Sequence, residues 1–159
     1  MALEAGMAHD VYYVVGPGHL ASDMGNPGVD VLGTPTIFLW VEDVATRLVV
    51  PHLGAGQATV GAHVTLRHLA ATPPGMTVRA YARLREVDGR RLRFAVEMFD
   101  EREKIAEAEH ERVIVDLGRF LERIGQKAAD PRSPSPPASP QPSLSLPPGA
   151  RALRTPPLP

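Results

Sequence analysis

The sequence predicts an α+β fold in which a curved antiparallel sheet wraps around one central helix. Three observations carry this expectation. A strongly apolar run begins at Thr34-Pro35 and stops at Pro51, long enough for a helix of about 16 residues. Period-two alternation then recurs through the stretches that follow. Tight turn signals separate those stretches and leave room only for antiparallel neighbours.

Residues 9–15 (HDVYYVV) read as a short strand, rich in Val and Tyr. Residues 16–33 hold five Gly, two Pro and three Asp or Asn, and so form a loop. Thr34 is placed to cap the helix, and Pro35 suits its first turn. Ile37, Phe38, Leu39, Trp40, Val41, Val44, Ala45, Leu48, Val49 and Val50 make that helix apolar almost all round, which places it at the centre of the fold.

The sheet follows. In residues 58–69, Ala58, Val60, Ala62, Val64 and Leu66 alternate with Thr59, Gly61, His63, Thr65 and Arg67. Thr72-Pro73-Pro74-Gly75 is a turn, with Pro then Gly in the order type II favours. Residues 76–87 alternate again, Val78, Ala80, Ala82 and Leu84 against Arg79, Tyr81, Arg83 and Arg85. Asp88-Gly89 is a two-residue hairpin signal, and Leu92, Phe94, Val96 and Met98 continue beyond it. Residues 105–117 form a last long strand, followed by a short amphipathic helix over residues 120–126.

The chain has 159 residues, a formal net charge of −1 and no Cys. That length fits one domain, expected over residues 1–129. Residues 130–159 carry 11 of the 17 prolines and five serines, with neither strand nor helix periodicity. Such a segment is expected to be a disordered tail, its P-x-x-P spacings being those of any Pro-rich stretch. The balanced charge argues against a nucleic-acid partner. Without Cys there is no disulfide, thiolate metal site or thiol nucleophile. No signal-peptide pattern opens the sequence, and its apolar runs fall short of the ~20 residues that span a bilayer. A soluble cytoplasmic protein without membrane contact is expected.

Several polar residues sit where apolar ones belong. Glu42 lies mid-helix among Trp40, Val41 and Val44, where a carboxylate is either a desolvated general base or part of a solvent-facing stripe with Asp43. His68 follows Val64 and Leu66 at even spacing, on the apolar face. A lone His there is a core residue, but with a helix carboxylate against it a Glu–His pair activates water or a hydroxyl. His63, at odd spacing from His68, points the other way, and no shared metal site is expected. Arg112 shares alternation with Ala106, Ala108 and His110, so it faces inward or toward a partner. Arg79, Arg83, Arg85, Arg90, Arg91 and Arg93 cluster on one hairpin, either as a phosphate-docking patch or as a solvated face balanced by Glu86, Asp88 and Glu97.

The segments GTPTIFLWVEDVA, AATPPGMTVRAYARLREVDGRRLRF and EHERVIVDLGRF, taken in order, resemble the fluoroacetyl-CoA thioesterase family of hot-dog-fold enzymes over residues 29–127. The resemblance implies hydrolysis of a small or medium acyl-CoA thioester by a Thr, a Glu and a His, which fall here on Thr34, Glu42 and His68. It also implies substrate-binding roles for Gly61 and Arg112. CoA enters as part of the substrate, with no metal or redox cofactor. Both direct attack by Glu42 and activation of water fit this constellation. Residues 25–33 lack an aromatic side chain, which leaves selectivity for a fluorinated acyl group unsupported.

Eight residues of helix span about 12 Å, so Thr34 and Glu42 of one chain do not touch. Two chains with antiparallel helices bring Thr34 of one near Glu42 of the other, which predicts a homodimer or a dimer of dimers. A hydratase on the same fold needs Asp and His in a D-x-x-x-x-H loop; Asp30 is present, but Pro35 stands where the His would fall. A non-catalytic acyl-CoA-binding or regulatory module is the alternative outside enzymology, and binding without thiol release distinguishes it.

Overall fold

The computed structural model describes residues 2–130 and residue 132. The expected tail, residues 130–159, lies almost wholly outside them. Strand β1 (Ala8–Val14) leads through a loop to α1 (Thr34–Val49). Strands β2 (Gln57–His68), β3 (Thr77–Asp88), β4 (Arg91–Phe99) and β5 (Lys104–Asp116) follow, and α2 (Leu117–Ala129) closes the described fold. The strands form one antiparallel sheet in the order β1-β3-β4-β5-β2. Strands β1 and β2 therefore occupy opposite edges, and α1 crosses one face of the sheet between them.

The core is the layer between α1 and that face. Ile37, Trp40, Val41, Val44, Ala45 and Leu48 bury against Val78, Ala80, Ala82 and Leu84 of β3, and against Leu92, Phe94, Val96 and Met98 of β4. The small Ala80 and Ala82 let the helix sit close, and α1 packs chiefly on β3. The helix is not buried all round, as its composition suggested. Phe38 is 40% exposed and Leu39 63% exposed, on the side turned away from the sheet.

The outer side of α1 is pinned to β1. Tyr13 stacks on Trp40, with centroids 4.4 Å apart and planes 6° from parallel. Its hydroxyl donates to Asp43 Oδ2 at 2.6 Å, and Asp43 also accepts from Arg47 Nε. Burial, with the Asp43 carboxylate as acceptor, pushes the Tyr13 pKa upward and keeps the phenol protonated. His19 meets Trp40 edge-on, and its carbonyl accepts from both Gly33 N and Thr36 Oγ1. The loop is thereby tied to the start of the helix.

Three local expectations are corrected. Thr34 is not the helix cap. Gly33 holds that position in extended conformation (φ −79°), and Thr34 is already helical. The hairpin loop is Gly89-Arg90 rather than Asp88-Gly89, with Gly89 at φ +57° in the first loop position, as a type II′ turn requires. The last helix is longer than residues 120–126. The Asp116 carboxylate caps it by accepting from Arg119 N, so α2 starts where β5 stops.

The largest correction concerns β2. The pairing with β5 runs Thr59↔Ile114 and Gly61↔Arg112, then resumes at His63↔Glu111 and Val64↔His110. Ala62 is thus an extra residue in a β-bulge, and alternation inverts across it. Thr59 and Gly61 face α1 before the bulge; Val64, Leu66 and His68 face it afterwards. The expected apolar face of Ala58, Val60, Ala62, Val64 and Leu66 does not exist as one face.

Candidate active site

The bulge puts two chemically different residues of β2 under the same helix. His68, at the end of the strand, lies beneath the first turn of α1, where its Nδ1 is 2.9 Å from Thr34 Oγ1. His68 Nε2 points inward, buried and without a hydrogen-bond partner. Nδ1 is therefore the nitrogen that serves the exposed Thr34 hydroxyl, able to take its proton or to donate to it.

Freed from capping, the Thr34 hydroxyl has His68 as its partner. The Thr34 backbone N–H is also available. Pro35 has none, and the N–H groups of Thr36 and Ile37 both bond Gly33 O, at 3.0 and 3.3 Å. The donors left at the helix start are Thr34 N–H and Thr34 O–H, side by side on an exposed residue.

Two turns further along α1, Glu42 meets the other end of the bulge. A Cβ placed on Gly61 would collide with Glu42 Oε1, and 3.0 Å would separate it from Cδ. Only a residue without a side chain lets the carboxylate lie over the strand there. Gly61 is thus a seat for Glu42. The other carboxylate oxygen, Oε2, accepts from Arg112 Nη1 at 3.4 Å. Arg112 is 5% exposed, an inward-facing cation on β5, as its alternation suggested. Its Nε donates to Thr59 Oγ1 at 3.0 Å and its Nη2 to Thr59 O at 3.1 Å. Burial pulls the Arg112 pKa down; the Glu42 charge opposes this and pairs the cation.

The Glu42 side chain remains 45% exposed. It is neither the sealed carboxylate nor the fully solvated stripe that the sequence left open. Within one chain the five candidate residues form two groups. Thr34 and His68 make one; Glu42, Gly61 and Arg112 make the other. Glu42 and His68 do not pair, contrary to the expectation that one helix carboxylate activates that His. Phe38 lies between Thr34 and Glu42 on the same side of the helix, partly exposed.

Sequence reasoning missed His110. It is 2% exposed and sits between Arg112 and the strand beside it, with Nε2 3.2 Å from Arg112 Nη1. The alternation of β5 placed it inward, but no spacing rule linked it to Arg112. Three of the six hairpin arginines are paired locally: Arg79 with Asp10, Arg91 with Glu111, and Arg93 with Glu86 and Glu111. Two concavities of about 550 and 320 Å³ lie along that hairpin; Arg85 lines both and Arg93 and His110 line the smaller, while Thr34, Glu42, Gly61, His68 and Arg112 line neither.

Comparison with known proteins bears on this arrangement. The profile of the fluoroacetyl-CoA-specific thioesterase family matches residues 15–117. The fluoroacetyl-CoA thioesterase of Streptantibioticus cattleyicolor is 36% identical over 98 residues, which cover 62% of this chain and 70% of that protein. A solved variant of the fluoroacetyl-CoA-specific thioesterase FlK, in complex with fluoroacetate and CoA, is similar with a TM-score of 0.70 and 31% identity, over 74% of this chain and 99% of that one. A hot-dog-like protein from Thermanaerovibrio acidaminovorans shares the fold, with a TM-score of 0.75 at 17% identity, over 79% of this chain and 93% of its own.

Proposed function

The chain belongs to the fluoroacetyl-CoA-specific thioesterase family, and from that premise we propose a homodimeric, cytoplasmic hydrolase of small or medium acyl-CoA thioesters whose site is shared between two chains. It is a hot-dog-fold acyl-CoA thioesterase. The finer assignments rest on geometry. Glu42 is the general base: it takes a proton from water as the oxygen attacks the thioester carbonyl. Thr34 N–H and O–H receive the developing oxyanion, and His68 Nδ1 holds the hydroxyl. Collapse of the tetrahedral intermediate breaks the C–S bond, and the CoA thiolate leaves with the proton that Glu42 took from water, which returns the carboxylate. Arg112 and Gly61 bind on the substrate side by fixing the Glu42 carboxylate. None of these steps calls on a metal or redox cofactor, and CoA arrives as part of the substrate. Among the described residues, no helix is long and apolar enough to cross a membrane.

The observation that carries this reading is the clasp on Glu42, a half-exposed carboxylate set over a bare glycine and against a buried arginine. The dimer is supported by the two groups that one chain keeps apart. An antiparallel pair of α1 helices sets Thr34 and His68 of one chain opposite Glu42 of the partner subunit. It also covers Phe38, Leu39 and the free edge of β2.

Glu42→Gln is the test, because it keeps shape and hydrogen bonding while removing the charge. Thiol release from the best of a panel of acyl-CoAs is expected to fall by roughly 10² or more with KM little changed. A folded Glu42→Gln protein turning over at the wild-type rate would end this mechanism. Wild-type protein that binds acyl-CoA without releasing thiol would instead favour a non-catalytic module.

A further inference from the structure

The mechanism above leaves one buried titratable group without a task. His110, on β5, lies in the protein interior between β4 and β2, its ring tilted 31° against Phe94 at 6.0 Å. Its two nitrogens face different partners. Nδ1 is 2.8 Å from the carbonyl oxygen of His63, and Nε2 is 3.2 Å from Arg112 Nη1.

We propose that His110 is a positioning residue: a neutral imidazole that donates to the His63 carbonyl and, through its Nε2 lone pair, holds the Arg112 guanidinium against Glu42.

The hydrogen bonds fix the tautomer. A carbonyl oxygen only accepts, so the proton sits on Nδ1 and the lone pair on Nε2, facing a guanidinium that only donates. A protonated ring would set N–H against N–H and a second positive charge against Arg112. Burial draws the imidazole pKa below its usual 6.5; the His63 carbonyl opposes this, and the Arg112 charge adds to it. The neutral ring is therefore the form that suits its surroundings.

The geometry shows what the contact does. Two corners of the guanidinium, Nε and Nη2, are held by Thr59, which leaves Nη1 with two hydrogens. One is aimed at Glu42 and the other at His110. Thr59 alone leaves the plane free to tip about its far edge; His110 fixes the third corner. The far anchor of the imidazole is also informative. His63 is the first paired residue after the bulge, two positions beyond the glycine on which Glu42 lies. His110 thus ties the backbone just past the bulge on one strand to the Arg112 guanidinium on the next.

The proposal rests on Glu42 acting in thioester hydrolysis, so its test is read in protein that releases thiol and loses that activity in Glu42→Gln. Steady-state kcat and KM are measured for His110→Gln, His110→Asn, His110→Phe, Arg112→Lys and the His110→Phe/Arg112→Lys pair. Gln keeps an acceptor toward Arg112; Asn reaches only toward His63; Phe keeps the ring and loses both bonds. The Gln variant is expected within about threefold of wild type, and Asn and Phe at least about tenfold down in kcat with KM nearly unchanged. In the Arg112→Lys background, His110→Phe should cost less than about threefold more, because it acts through the group already removed. Losses that multiply in full would overturn the proposal while leaving the role of Glu42 intact, as would His110→Phe at the wild-type kcat. If the Phe variant does not fold, Gln and Asn decide: Asn equal to or better than Gln overturns it, and Gln clearly better supports it.

Discussion

Thr34 shows what a single residue hides from its sequence. A Thr before a Pro-led helix has the signature of a cap, yet Gly33 takes that place and the hydroxyl turns to His68 Nδ1. The two roles separate by substitution. Thr34→Ser keeps the hydroxyl and should retain most activity. Thr34→Ala and Thr34→Asn should both lose at least about tenfold in kcat. Since no cap is removed, the melting temperature of the Ala variant should stay within about 2 °C of wild type, as for most surface changes. An active Asn variant would return Thr34 to a purely structural part. Glu42 and His68 were legible as candidates because each is a polar residue in an apolar register. Thr34 read locally as a cap and became a candidate only through the family resemblance. The grouping of the three was not legible. The Glu42–Arg112 contact spans 70 residues of chain, and no local periodicity reports such a distance.

At the scale of elements, the turns hold the site ends of the strands. Thr72, fully buried in the β2–β3 turn, donates its hydroxyl to Asp100 Oδ2 in the β4–β5 turn, and its carbonyl accepts from Leu32 N just before α1. Partial burial alone would raise the Asp100 pKa. The backbone N–H groups of Arg102 and Glu103, with the Thr72 hydroxyl and the Arg102 charge, outweigh it and hold the carboxyl below its usual 3.8. A carboxylate whose pKa is depressed on folding stabilises the fold above its unfolded value, and loses that contribution as pH falls through the folded value. Asp100→Asn should therefore lower the melting temperature at pH 7, with the gap to wild type closing as pH falls below about 4. A gap constant from pH 7 to pH 3 would show that the charge plays no part. The strands and α1 were legible because alternation and Pro punctuation are local signals. The β2 faces were not, since a bulge is specified by pairing with β5 and leaves no mark in the spacing of one strand.

For the whole molecule, the question is whether one chain holds a complete site. Thr34 and Glu42 share a helix about 12 Å apart, so a shared site predicts complementation between two inactive variants. Thr34→Ala and Glu42→Gln chains, produced together in equal amounts, should assemble randomly. Half of the dimers are then mixed, and each mixed dimer carries one site with both residues native. About a quarter of the wild-type thiol release should return, above the roughly one tenth or less and one hundredth or less that the two variants retain alone. A mixture as inactive as its components would place each site within one chain. The overall architecture was readable because one buried helix and a run of alternating strands admit few arrangements. The partly exposed face of α1, with Phe38 and Leu39, was not read, because apolar composition does not say whether its cover comes from the same chain.

The bulge at Ala62 has a consequence for how this sequence tolerates change in length. In a regular strand, losing one residue turns everything beyond it to the other face. Here, deleting Ala62 would leave an unbroken ladder in which Gly61 keeps Arg112 and His63 keeps Glu111 as partners. Thr59 and Gly61 would still face α1, and so would Val64, Leu66 and His68; only the local bend of the strand would go. Deleting Val60 instead, with the ladder closing without a bulge, would set Ala62 opposite Arg112 and put a methyl group where the Glu42 carboxylate lies. The irregular position is thus where this strand is most free to lose a residue, and its regular neighbours are where it is least free.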